Sequence, residues 1–265
     1  MDTIALQNAS LPEAALQALA EVAARDDPAI IGIVLSGSAA RGMATQNSDV
    51  DVMVIRDENA VAGVRKVSHS VYIDEIPKTL AQIETVKAID CEGAWERWSY
   101  AWALVIKDST GGRVSEAVRR QAVLDDAEIR HMLVELSRLD EFINYTYRAL
   151  KSHRDGRKDA ARLDSAECVR SMLDIVFALA GRVRPYNKYL AWELDEHPLP
   201  SAEWQDGRLL RYVTGLLDGD EAAVCGVFQA IERECLAYDK RCGRDELAAI
   251  IKGWGDQLDL HRCQL

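Results

Sequence analysis

At 265 residues the chain is long enough for one large domain or two modest ones, and with 48% hydrophobic residues and no low-complexity stretch it can bury a packed core. Lys and Arg number 32 against 43 Asp and Glu, a net charge of −11. That balance disfavours a long nucleic-acid groove, which needs clustered cations, and favours a small, cationic substrate drawn to an acidic cleft. The six cysteines show no Cys-x-x-Cys pair and read as free thiols of a reducing compartment, and the five histidines have no zinc spacing. The N-terminus has no basic stretch leading into an apolar core, and no run approaches the roughly 20 apolar residues that span a bilayer. The expectation is a cytoplasmic protein without membrane contact.

The first periodic segment predicts a helix over residues 10–25. Ser10 caps it, Glu13 completes a capping box, Pro12 is tolerated in the first turn, and Leu16, Leu19 and Ala23 form an apolar stripe. Ile30 to Leu35 reads as a buried strand, followed by a Gly37-Ser38 turn, a short helix near 39–44 and a strand over 50–56. A further strand is expected near 69–76, a helix started by Pro77 and Thr79 and running to about Ile89, and a last apolar strand from Ala101 to Ile106. The loop from Lys107 to Gly112 then closes the α/β part.

Beyond residue 120 the period changes. Ile129, Met132, Leu133, Leu136, Leu139, Ile143 and Leu150 recur at three and four, which predicts one long helix over 125–153. Further helices are expected near 160–180, 207–218, 220–240 and 245–259, punctuated by Gly156, Gly181, Pro198-Leu199-Pro200 and Gly243. The reading is an α+β chain: a mixed sheet with flanking helices over residues 1–120, then an all-helical bundle over 121–265.

The stretch that carries chemistry runs from Gly37-Ser38 to Ser48-Asp49-Val50-Asp51. Asp49 and Asp51, two apart on a strand, share one face, while Val50, Val52 and Val54 point into a core. Two like charges so placed repel, and a hard divalent cation such as Mg²⁺ relieves the conflict. The Gly-Ser turn offers backbone N–H groups and a hydroxyl to phosphate oxygens.

Strand, Gly-Ser turn, short helix and Asp-x-Asp strand together resemble the nucleotidyltransferase superfamily, the DNA polymerase β-like fold. The resemblance is tight over about 30 residues. It implies transfer of a nucleoside monophosphate, AMP from ATP, to an acceptor hydroxyl with release of pyrophosphate. It implies two Mg²⁺ ions held by three carboxylates. Asp49 and Asp51 would be two of them, and the third would come from the strand near Ile73, where Asp74 or Glu75 qualifies. Asp74 shares the more polar face with Ser70 and Tyr72 and is favoured. Ser38 would bind the terminal phosphates with Ser48 in support, and Arg41 would either touch phosphate or pair with a surface acid.

A catalytic domain followed by a bundle of this size resembles the aminoglycoside and lincosamide adenylyltransferases, which confer antibiotic resistance. In that comparison the segment from Gly181 to Trp192 is similar to the one that sends a lysine to the triphosphate, so Lys188 would meet the phosphates unless it forms a solvated basic face with Arg182 and Arg184. The acceptor would be a small, hydroxylated, cationic molecule. Asp140, Glu141, Glu167 and Asp174 are eligible to bind it, and Trp95, Trp98 and Trp102 could stack on a ring or simply pack. A nucleotide-binding regulatory or toxin–antitoxin-type partner with little turnover is the alternative reading. Oligomeric state stays open, with a homodimer among the options.

Overall fold

The computed structural model describes residues 13–57, 72–89 and 91–262. Ser10, Pro12 and the start of the strand expected near residue 69 lie outside them. The chain divides into two compact units, Met1–Val123 and Leu124–Leu265.

Among its described residues the first unit holds a four-stranded mixed sheet, in the order Ile73–Thr79, Val50–Arg56, Ile30–Leu35, Leu104–Asp108. Its elements in chain order are α1 (Glu13–Ala23), β1 (Ile30–Leu35), α2 (Gly37–Ala40), β2 (Val50–Arg56), β3 (Ile73–Thr79), α3 (Leu80–Glu84), α4 (Cys91–Tyr100), β4 (Leu104–Asp108) and α5 (Arg113–Ala122). β1 is antiparallel to both β2 and β4, whereas β2 and β3 run parallel.

Two cores sandwich the sheet, which is why β1 is apolar on both faces. On one side Val50, Val52, Val54, Ile33, Leu35 and Ile73 meet Ala15, Leu19 and Val22 of α1. On the other, Val34, Met53 and Ile55 meet Leu80, Ile83, Tyr100, Val114, Ala117 and Val118. Gly32 lets α5 approach: a Cβ there would lie 2.9 Å from Val114 Cγ2 and 3.2 Å from Ile55.

Several boundaries differ from expectation. Pro77 sits inside β3, where an edge strand tolerates a residue that cannot donate. Thr79 does start a helix, through a reciprocal capping box with Gln82, but α3 ends at Glu84 instead of continuing to Ile89. The last strand begins at Leu104, because α4 fills the residues up to Tyr100 and a turn follows. Helix α5 has no counterpart among the expected elements. Its spacing is legible, since Val114, Ala117, Val118 and Gln121 are buried, but the glycine-rich loop before it reads as a terminus. Asp108 starts it by accepting hydrogen bonds from Ser115 N (3.0 Å) and Thr110 N (3.0 Å).

The second unit is helical: α6 (Asp126–Arg130), α7 (Arg138–Arg154), α8 (Lys158–Leu179), α9 (Leu190–Glu196), α10 (Arg208–Asp218), α11 (Glu221–Cys242) and α12 (Glu246–Gly253), with short 3-10 turns at 187–189, 202–204 and 255–259. The single helix expected over 125–153 is broken. A π-helical turn occupies His131–Glu135, and Ser137 adopts a left-handed φ of 55° before α7 resumes. Apolar spacing continues through the break, with Met132 and Leu133 buried within it and Leu139, Phe142 and Ile143 after it. The segment expected over 245–259 splits at Trp254 into α12 and a 3-10 turn. No helix among the described residues is long and apolar enough to cross a membrane.

Candidate active site

The Gly37-Ser38 turn leaves β1 with Gly37 at φ +63°, a conformation that favours glycine. A Cβ on Gly37 would fall 1.9 Å from Asp51 Oδ2. The Asp51 carboxylate thus occupies the space that any side chain at position 37 would claim. The preceding residue joins the same strand, with Ser36 N donating to Asp51 O at 2.8 Å.

Asp51 and Asp74 are register partners across the parallel β2–β3 pair, and both are half-buried. Side chains at paired positions project to one face. Glu75, one residue on, projects to the other, where Arg25 grips it with two hydrogen bonds of 2.6 Å. The strand alternation that favours Asp74 is therefore present in the register.

Asp49 lies one residue before β2 and is exposed. The expected two-apart geometry on a strand does not extend to it, because pairing of β2 begins at Val50. Among the described residues no three His, Cys, Asp or Glu side chains gather closely enough to hold a metal ion. Ser48 closes the loop ahead of Asp49: Thr45 N donates to Ser48 Oγ at 2.9 Å and Ser48 N to Thr45 O at 3.0 Å. The half-buried Ser38 hydroxyl takes part in no hydrogen bond among the described residues.

Arg41 is turned into the protein. It is 5% exposed, and its guanidinium donates to Gly37 O (2.6 Å), Ala101 O (2.5 Å) and Trp98 O (3.2 Å) while lying 4.1 Å over the Trp98 ring. Ser36 Oγ adds a bond to Ser99 O at 2.5 Å. The Trp98, Ser99 and Ala101 carbonyls belong to the last turn of α4 and the residue beyond it, where a helix lacks internal donors and favours a cation. Sequence reasoning misses Ser36 and Trp98 in this role, since their partners lie about 60 residues apart in sequence. Of the three tryptophans, Trp98 is fully buried, whereas Trp95 is 64% and Trp102 38% exposed.

In the second unit Lys188 is exposed on the 3-10 turn, its ammonium 4.7 Å from the Tyr189 ring centroid. Arg182 pairs with the buried Glu193, and Arg184 with Asp174 (3.3 Å) and Asn187 (2.9 Å), so those two cations are engaged within the unit. Burial raises the Asp174 carboxyl above its usual range despite Arg184 and Arg138 beside it. Asp140 accepts from the Trp254 indole at 3.0 Å, Glu141 pairs with Arg138 at 2.6 Å, and Glu167 is exposed.

Residues 16–107 match the family model described as a nucleotidyltransferase domain. That span contains all four strands up to Lys107 and holds Gly37, Asp49, Asp51 and Asp74. The match supports the nucleotidyltransferase superfamily for the first unit, and with it nucleotidyl transfer as a class of activity. A nucleotidyltransferase-like protein from Exiguobacterium sibiricum is among the similar solved structures, at 14% identity and a TM-score of 0.40, covering 86% of this chain and 77% of that one. No curated protein matches the chain.

Proposed function

We propose that the protein transfers AMP from ATP to a hydroxyl of a small molecule and releases pyrophosphate. The observation that carries this reading is the pairing of Asp51 with Asp74 on one sheet face, with the Asp51 carboxylate against the backbone of Gly37. The donor set is all carboxylate oxygen, which suits Mg²⁺, and the absent side chain at Gly37 leaves the cradle open. Asp51 and Asp74 would hold the metal from the sheet, with Asp49 drawn in from the exposed loop before β2 to complete the set; when bound, the metal would supply charge neutralisation and orientation of the triphosphate.

The chain's own groups do the rest. The Ser38 hydroxyl donates to the terminal phosphates, and Ser48 braces the loop that carries Asp49. Lys188 is assigned to the phosphates on the resemblance described above. Arg41 is not, because its guanidinium is committed to three carbonyls. The acceptor oxygen bonds to the α-phosphorus as the α–β bridging P–O bond breaks. Pyrophosphate departs with the electron pair, and Asp74 passes the hydroxyl proton to solvent. Positioning and neutralisation supply most of the acceleration in such transfers. The acidic chain, at net −11, supports a cationic acceptor, and aminoglycoside-type antibiotics are the first class to test.

The test is pyrophosphate release with Mg²⁺, each nucleoside triphosphate and a panel of hydroxylated acceptors. Release with one acceptor, lost in Asp51→Asn, is expected. No release across the panel, together with no metal-dependent nucleotide binding, overturns the reading.

A further inference from the structure

We infer that Arg41 is a positioning residue: it holds the Gly37 carbonyl, and through it both the Asp51 carboxylate and the direction of the Ser38 N–H. Its bearing on metal binding rests on the function proposed above, but the positioning itself does not.

The geometry runs through one peptide plane. The Gly37 carbonyl accepts from Arg41 Nη1 at 2.6 Å. Because the peptide bond is planar and trans, fixing that C=O fixes the Ser38 N–H on the opposite side of the same plane. Gly37 in turn meets Asp51, whose Oδ2 lies where a Cβ on Gly37 would be. The turn is closed by Ala40 N to Ser36 O (3.3 Å) and Met43 N to Ser38 O (2.9 Å).

The other end of the clamp is anchored. Arg41 Nη2 donates to Ala101 O and Trp98 O, and the guanidinium plane lies over the Trp98 ring, itself fully buried. This anchorage needs a planar cation with several N–H donors. Lysine offers three donors on one nitrogen and cannot reproduce the fork. To reach a phosphate, the guanidinium would have to abandon buried carbonyls and leave them unsatisfied.

Full-length wild type, Arg41→Lys, Arg41→Gln and Asp51→Asn are titrated with Mn²⁺ alone and with a non-hydrolysable ATP analogue, followed by water-proton relaxation. Amide hydrogen exchange at Ala40 and Met43 is measured alongside, with Ile33 and Val52 as references in the sheet. Positioning predicts at least tenfold weaker Mn²⁺ binding in Arg41→Gln, partial recovery in Arg41→Lys, and at least tenfold faster exchange at Ala40 and Met43 with the references unchanged. Wild-type Mn²⁺ affinity in both variants, with weakened analogue binding, is the signature of a phosphate ligand and overturns the proposal. So does unchanged exchange at Ala40 and Met43. Should wild type bind no Mn²⁺ under either condition, the proposed function fails, and the exchange rates still decide the positioning. If Arg41→Gln does not fold, Arg41→Lys carries both readouts.

Discussion

Asp51 and Asp74 stand opposite each other in the parallel β2–β3 ladder, while their neighbours Val52 and Glu75, paired one step on, face the other side of the sheet. Two acids at paired positions repel unless a cation or proton intervenes. The same register gives Glu75 an arginine partner instead.

The two acids of β3 are therefore separable. Asp74→Asn should abolish metal-dependent nucleotide binding and leave the melting temperature close to wild type. Glu75→Gln should leave binding intact. It breaks a pair whose arginine side chain is 41% exposed, so its stability cost should stay within about 1 kcal/mol. Calorimetric titration and thermal melts of the two variants side by side decide it, and equal binding losses would reject the distinction.

Gly37→Ala tests the cradle. The φ of +63° alone costs a side-chain-bearing residue about 1–3 kcal/mol, and the new Cβ displaces the Asp51 carboxylate. A lowered melting temperature and loss of metal binding should appear together. Retained metal affinity in a folded variant would contradict the geometry.

Gly32→Ala probes the sheet–helix contact without touching the acids. The added methyl meets Val114 Cγ2 at 2.9 Å, so α5 must shift, at roughly 1–3 kcal/mol. Denaturant unfolding should show a lower midpoint. Gly32→Ala paired with Val114→Ala should recover part of the loss, and a midpoint equal to wild type in the single variant would refute the contact.

The second unit should lose stability on acidification through His261. The ring is fully buried between Thr146 (2.9 Å to Oγ1) and Phe228 (centroids 4.1 Å apart). Burial lowers its pKa from 6.5 to about 4. Between those values the unfolded chain binds a proton that the folded chain refuses, so stability is full above the unfolded value and falls as pH drops towards 4. The loss should approach about 3 kcal/mol, at 1.36 kcal/mol per pH unit. Unfolding of wild type and His261→Gln from pH 7 to 4 should show a shallower slope for the variant, and parallel slopes would remove His261 from the account.

What could be read in advance follows from how local each cause is. The six-residue apolar run of β1 and the alternation of β2 carry their own signal, and so does the placing of Asp74 and Glu75 on opposite faces once a strand is assumed. The fate of Asp49 was not legible, because two-apart spacing means a shared face only where both residues belong to the strand. The role of Arg41 depends on Trp98 and Ala101, and nothing near position 41 announces them. The break at His131–Glu135 hides within an unbroken apolar period: a π turn shifts the phase but still buries its residues.

The turn that cradles Asp51 is tied to the end of α4 by hydrogen bonds spanning 57, 60 and 63 residues. Such distant partners bring loop-closure entropy into its formation. During synthesis, the arginine clamp of the Gly37 turn has no anchor on α4 until Trp98 and Ala101 have left the ribosome. Its final shape is thus a late event of folding, reached after the intervening β2, β3 and α3 have been made. The turn and the end of α4 should consequently order as one cooperative unit, and open as one.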